Sequence, residues 1–279
     1  MKRAFLCLFL LIICLFSCAQ AERVVSLYGS YAEAWLEAGG TLAGVTEDAV
    51  NERHLNTDAV IIGTNKAPNL ELVFALEPDW VILSEDIAAQ QSIKEVLQSA
   101  GVSCDAFRVD SYRDYAHMMD VFTARTGRRD IYEEKVLPMI GEIESIIEKA
   151  KDQPVQEVLL LRAYSTGAKA KGSDNLTGVM LRDLGCINLV DKYPSLLEEL
   201  SLESILLEDP DWIFVSIMGG DEEAALAALN ATLGANPAFA SLKAVKEGRL
   251  HVLPREGFHY KPNARWSESY AYLYKILFE

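Results

Sequence analysis

The segment GFHYKPNARW, Gly257 to Trp266, sets His259, Tyr260, Lys261, Arg265 and Trp266 within eight residues. An imidazole or phenol facing an open cleft can ligate the iron of haem, and neighbouring cations and rings suit a bulky anionic or planar partner. Residues of similar chemistry stand where apolar runs end. Tyr28, Ser30 and Tyr31 close the first such run, Asn65 and Lys66 follow VIIG, and Glu85 follows WVILS. In the second half Arg162, Tyr164, Lys169 and Lys171 end or follow QEVLLL, Met218 follows WIFVSI, and Arg255 opens the His259 loop after RLHVLP. Ligands of open α/β sheets bind beyond the carboxyl ends of the strands, so these positions form the candidate ligand site. For haem, His259 or Tyr164 is the candidate iron ligand, with Met218 able to serve from the loop opposite.

Such residues need a scaffold, and the chain spells one twice. NLELVFALEPDWVILSED (Asn69 to Asp86) and SLESILLEDPDWIFVSIM (Ser201 to Met218) each read as a helix, a Pro-Asp turn and a buried strand. Strands and helices alternate around both copies, which predicts an α/β fold of two lobes, each a mainly parallel sheet flanked by helices. INLV reads as a strand, and the stretch through His54 as a polar loop. Arg129 to Lys151 reads as one helix about 35 Å long, with Pro138 expected to kink it. The expected organisation is an export signal at 1–21, lobes at 22–128 and 152–279, and the helix 129–151 as the only connection. A stiff helical hinge predicts a small closing motion.

The chain has 279 residues, half of them hydrophobic and 24% charged, which suits two globular lobes rather than disorder. A net charge of −15 excludes nucleic acid as a natural partner. Lys2 and Arg3 followed by AFLCLFLLIICLF form a targeting segment. LFSC resembles a lipoprotein lipobox with Cys18 as the acylated first residue, whereas AQA (Ala19 to Ala21) suits ordinary signal peptidase and a soluble periplasmic product. Lipidation leaves Cys104 and Cys186, both read as core thiols.

The ordered set RVVSLYGSYAEAWLEAGG, NLELVFALEPDWVIL, LESILLEDPDWIFV and FASLKAVKEGRLHVLP, with the long helix between, resembles the helical-backbone class of ABC-transporter substrate-binding proteins. That class takes up ferric siderophores, haem and cobalamin. The resemblance implies a monomeric, extracytoplasmic binder with no intrinsic cofactor, an iron-containing ligand in the interlobe cleft, and delivery to a permease dimer. It also implies that Glu71 and Glu203, each seven residues before the Pro of its repeat, meet arginines of the permease. A helix-start acid favoured by the macrodipole explains the same two residues without a partner.

Two other chemistries are open. Zn²⁺ or Mn²⁺ capture needs His54, His117, His251 or His259 to converge with a carboxylate. A chelatase-like enzyme needs His259 paired with Glu256 or Glu85, although an exported protein is misplaced for tetrapyrrole synthesis.

Overall fold

The computed structural model describes residues 22–198, 200–219 and 221–279; Cys18 and the targeting segment lie outside them. The first half contributes strands β1 (Val24–Ser26), β2 (Gly44–Val45) and β3 (Val60–Ile61), a hairpin of β4 (Gly63–Thr64) and β5 (Ala67–Pro68), then β6 (Trp80–Ser84) and β7 (Cys104–Phe107). Its main sheet is parallel, in the order β3-β2-β1-β6-β7. The second half contributes β8 (Glu157–Tyr164), β9 (Gly167–Ala170), β10 (Ile187–Asn188), β11 (Trp212–Ile217) and β12 (Leu250–Val252). Here the parallel order is β10-β8-β11-β12, with β9 antiparallel on β8. β6 and β11 are interior, apolar and wholly buried, as strands covered by helices on both faces must be.

The repeated Pro-Asp-Trp has a mechanical purpose. Helices Leu70–Ala75 and Leu202–Glu208 are capped by Asn69 and Ser201, which accept from the N–H groups of Leu72 and Ser204. The residue before each proline, Glu77 or Asp209, turns the chain with a φ of 45° or 42°. Asp79 then accepts the Arg23 N–H at 2.8 Å, and Asp211 accepts the Glu157 N–H at 3.0 Å. Each aspartate thus pins the start of the neighbouring strand, β1 or β8, in register with the strand that follows its own turn. The indoles are anchored too, Trp80 to Asp105 at 2.8 Å and Trp212 to Gln156 at 3.0 Å.

Three stretches depart from the expected elements. INLV is a strand only at Ile187–Asn188; Asn188 then accepts the Val190 N–H and caps a short helix, Leu189–Lys192. The polar stretch before His54 contains the helix Glu47–Asn51. It lies so close to the helix Gly29–Glu37 that a Cβ on Gly29 would come within 2.6 Å of the Ala49 nitrogen, and Asp48 accepts the Gly29 N–H at 2.7 Å. The residues after β8 turn back as β9 at Gly167, φ 143°, instead of forming a loop. Cys104 and Cys186 are free, and burial pushes the Cys186 thiol up to about 12.

The connecting helix runs from Arg129 to Ala150, with a π segment at Tyr132–Val136 directly before Leu137–Ala150. Pro138 has no N–H to give the Glu134 carbonyl, and the widened turn, in which Leu137 N–H reaches Tyr132, relaxes the ladder there. One continuous apolar cluster joins both lobes to this helix. It takes Tyr112, Tyr115 and Phe122 from the first lobe, Ile131, Val136, Met139 and Ile143 from the helix, and Leu181, Trp266, Tyr270 and Leu273 from the second. Tyr112 and Tyr270 meet edge to face at 5.7 Å across this seam. A buried large apolar side chain contributes roughly 2 kcal/mol, so wide separation of the lobes would expose several such contributions at once. We therefore expect solution scattering curves with and without ligand to superimpose closely. A large drop in radius of gyration on binding would contradict this hinge.

Candidate functional site

A cavity of about 750 Å³ opens between the carboxyl ends of the two sheets. The first lobe supplies Tyr28 after β1, Asn65 and Lys66 from the β4–β5 turn, and Asp86, Arg108 and Asp110 after β6 and β7. Arg162 at the end of β8, Met218 after β11 and the segment Arg255 to Lys261 after β12 supply much of the other side. Buried Gln90 fixes the turn carrying Asn65. Its amide donates to the carbonyls of Leu27 and Asn65 at 2.7 and 2.8 Å and accepts the Ser84 N–H at 2.8 Å.

Lys261 closes the floor. It is 6% exposed, and its Nζ lies 3.1 Å from Asp86 and 3.2 Å from Asp110, both in the opposite lobe. Arg108 adds a 2.7 Å bond to Asp110. Burial would lower the Lys261 ammonium and raise the Asp110 carboxyl. The surrounding Tyr28, Asp86 and Asp110 hold Lys261 above its ordinary value nonetheless, and Lys261 with Arg108 holds Asp110 below its own. Two residues on, Asn263 has a φ of 52° and donates to the Ser30 carbonyl at 2.8 Å and to Glu33 at 2.6 Å; Glu33 in turn pairs with buried Arg53.

Three cavity cations differ from these. Among the described residues, no carboxylate pairs with Lys66, Arg162 or Arg255. Among the described residues, the buried Arg162 and Arg255 Nε atoms have no partner, and Arg255 donates to the Tyr260 hydroxyl at 2.7 Å. His259 lines the same cavity. Burial, reinforced by Arg255, Arg162 and Lys261, pulls its imidazole down to about 4, so at neutral pH it is uncharged and keeps a lone pair. The arrangement can hold oxyanions through two guanidiniums and can offer a metal centre a neutral imidazole or the Met218 thioether.

Tyr28, Asn65, Lys66, Arg162, Met218, Arg255, His259 and Tyr260 all line this cavity. The remaining expected residues lie elsewhere. Tyr31 is fully buried, with its hydroxyl on the Phe107 carbonyl, because the helix beginning at Gly29 turns it inward. Ser30 is buried and meets Asn263 through its carbonyl, and Trp266 is a core residue at the start of the last helix. Tyr164, Lys169 and Lys171 are not among the residues that line the cavity, although the β8–β9 hairpin sets Lys169 directly across from Arg162. Glu85 lines a separate recess with Asp105 and His117. Arg265 and Glu256 line a side chamber of about 410 Å³ with Arg53 and His54. Neither Glu85 nor Glu256 lines the main cavity with His259. Among the described residues no three His, Cys, Asp or Glu side chains group to hold a metal ion. Asp86 and Asp110 were missed, although the rule applied to Glu85, position after a strand, marks both.

The sequence matches the model of the periplasmic binding protein family over residues 24–256. The chain belongs to this family. It is 24% identical over 245 residues to the Fe(3+)-citrate-binding protein YfmC of Bacillus subtilis, covering 84% of this chain and 74% of that protein. The fold is similar to that of Staphylococcus aureus IsdE complexed with haem, with a TM-score of 0.74 at 16% identity over 93% of this chain and all of that one. It is also similar to that of S. aureus SirA complexed with staphyloferrin B, with a TM-score of 0.66 at 20% identity and 92% of each chain covered. Members of this family are the non-enzymatic binding components of transport systems and act outside the cytoplasm.

His259 provides a direct check on the electrostatics of the site. Its imidazole signals should titrate near pH 4 by NMR; a transition near 6.5 would contradict the cationic surroundings. The unfolded chain takes up this proton near 6.5 and the folded chain only near 4, so acidification through that window favours unfolding, by up to about 3 kcal/mol. His259→Gln should remove that part of the acid sensitivity.

Proposed function

We propose that the chain is the extracytoplasmic substrate-binding component of an ABC importer, and that it captures an anionic ferric chelate in the interlobe cavity. The observation that carries this reading is the set of cavity cations left without carboxylate partners, Arg162, Arg255 and Lys66, beside Lys261, whose charge is already matched. The ferric-citrate-binding relative supports it. Haem is the second reading, favoured by the presence of neutral His259 and Met218 in one cavity; cobalamin ranks third. In each case the iron or cobalt belongs to the cargo, and the chain supplies binding without turnover.

Delivery is assigned to Glu71 and Glu203. Both are exposed in the first turn of their helices, at equivalent places of the two repeats. Held apart by the stiff hinge, two carboxylates can each accept a bidentate arginine of a permease dimer. Acylated Cys18 would keep a monomeric binder at the membrane, and Cys18→Ala should then release it without changing affinity.

Calorimetry with ferric citrate tests the cargo. Arg162→Ala and Arg255→Ala should each weaken binding by about tenfold or more, the effect expected for loss of one charge-assisted contact, while a tight haem complex with unaltered ferric citrate affinity would favour the second reading. Glu71→Arg with Glu203→Arg should abolish uptake by cells at unchanged affinity; normal uptake would remove the docking role.

A further inference from the structure

The two lobes give the cavity walls of opposite sign. The second lobe presents Arg162, Arg255 and Lys261 against one acid, Asp174, whereas the short helix Glu47–Asn51 of the first lobe and the residue after it present Glu47, Asp48 and Glu52 to the same space. Lys66 and Arg108 stand on the first lobe as well, but Arg108 is engaged with Asp86 and Asp110. Among the described residues, none of the three carboxylates lies within ion-pair distance of a Lys or Arg. Asp48 gives one oxygen to the Gly29 N–H, and its other oxygen is buried with no donor. Burial and adjacent Asp48 hold the Glu52 carboxyl above its ordinary value in spite of Arg255 and Lys66. The three acids share one wall, where Arg255 and Lys66 act on Glu52 from a distance without forming an ion pair.

A ligand that is anionic all round would satisfy only one wall. Like charges 4 Å apart cost roughly 4 kcal/mol at an effective dielectric constant of 20, and less where water reaches them. A bare metal ion does not resolve the conflict, because among the described residues no three His, Cys, Asp or Glu side chains group to hold one. A ligand with oxyanions on one side and a protonated amine on the other satisfies both walls.

We propose that the cargo is amphoteric: a ferric aminocarboxylate chelate whose carboxylates face Arg162 and Arg255 and whose ammonium group faces Glu47, Asp48 and Glu52. This rests on the reading of the cavity as a site for a ferric chelate and narrows it to chelators that carry a free amine. The role of Glu47 and Glu52 is to select for that amine. Asp48 contributes to the same wall while tying the helix to Gly29.

The test compares two ferric complexes on the mature protein: ferric citrate, and the ferric complex of citrate in which one terminal carboxylate is converted to a 2-aminoethyl amide. Wild-type protein should prefer the amine-bearing complex by about tenfold or more, the order of a single charge-assisted contact. In the double variant Glu47→Gln, Glu52→Gln, both at exposed positions, ferric citrate should bind more tightly, the amine-bearing complex more weakly, and the preference should fall below about threefold. Equal affinities in the wild type, or a preference that survives the double substitution, would overturn the inference while leaving the ferric-chelate reading in place. Failure of both complexes to bind the wild type would overturn that reading, and this inference with it.

Discussion

A buried ammonium must be matched, and the match for Lys261 comes from the opposite lobe. Asp86 and Asp110 stand beyond the ends of β6 and β7, so the cation holds the segment after β12 against the first sheet. An unmatched buried ion costs several kcal/mol. That Lys261 is held above its ordinary value although buried shows attraction outweighing desolvation. Asn263, reaching the Ser30 carbonyl and Glu33, extends the same clamp. With the segment fixed at both points, His259 and Tyr260 have a defined position in the cavity wall. The apolar seam behind it, from Tyr112 to Tyr270, makes the hinge stiff as well as the floor.

Matching also separates the two kinds of cation around the cavity. Lys261, Arg108 and Arg53 are paired within the chain, and their charge holds the structure together. Arg162 and Arg255 have no carboxylate ion-paired to them among the described residues, and burial, reinforced by their field, keeps His259 neutral. A preformed site of this kind binds without first assembling itself, which suits a carrier that must take up cargo and then release it to another protein. In the proposed docking role of Glu71 and Glu203, the stiff helix would serve the second step by holding the two at one separation.

Much of the fold was legible in the sequence because its signals are local. Apolar runs of strand length, the two Pro-Asp-Trp turns and the long amphipathic helix all declare themselves within a few residues. The same holds for cavity-lining residues directly at strand ends, such as Tyr28 and Arg162. Tyr31 and Trp266 were misplaced because each sits at a helix start, where the turn of the helix rather than the neighbouring strand decides which way the side chain points. The hairpin that begins at Gly167 and sets Lys169 across from Arg162 was not legible, because nothing in the flanking residues requires it. The clamp itself could not be read at all: Lys261 meets partners 175 and 151 positions away, and no short-range pattern encodes that distance. The charges of Asp48 and Glu52 likewise became informative only once a cavity joined them to Arg162.

The central claim is that this cavity carries an iron chelate rather than a tetrapyrrole. Native mass spectrometry of the protein isolated from its own host, with the absorption spectrum of the same sample, tests it most directly. A bound mass containing iron, with broad charge-transfer absorption and no Soret band, is the predicted result. A Soret band, a corrin spectrum or a ligand without metal would contradict it.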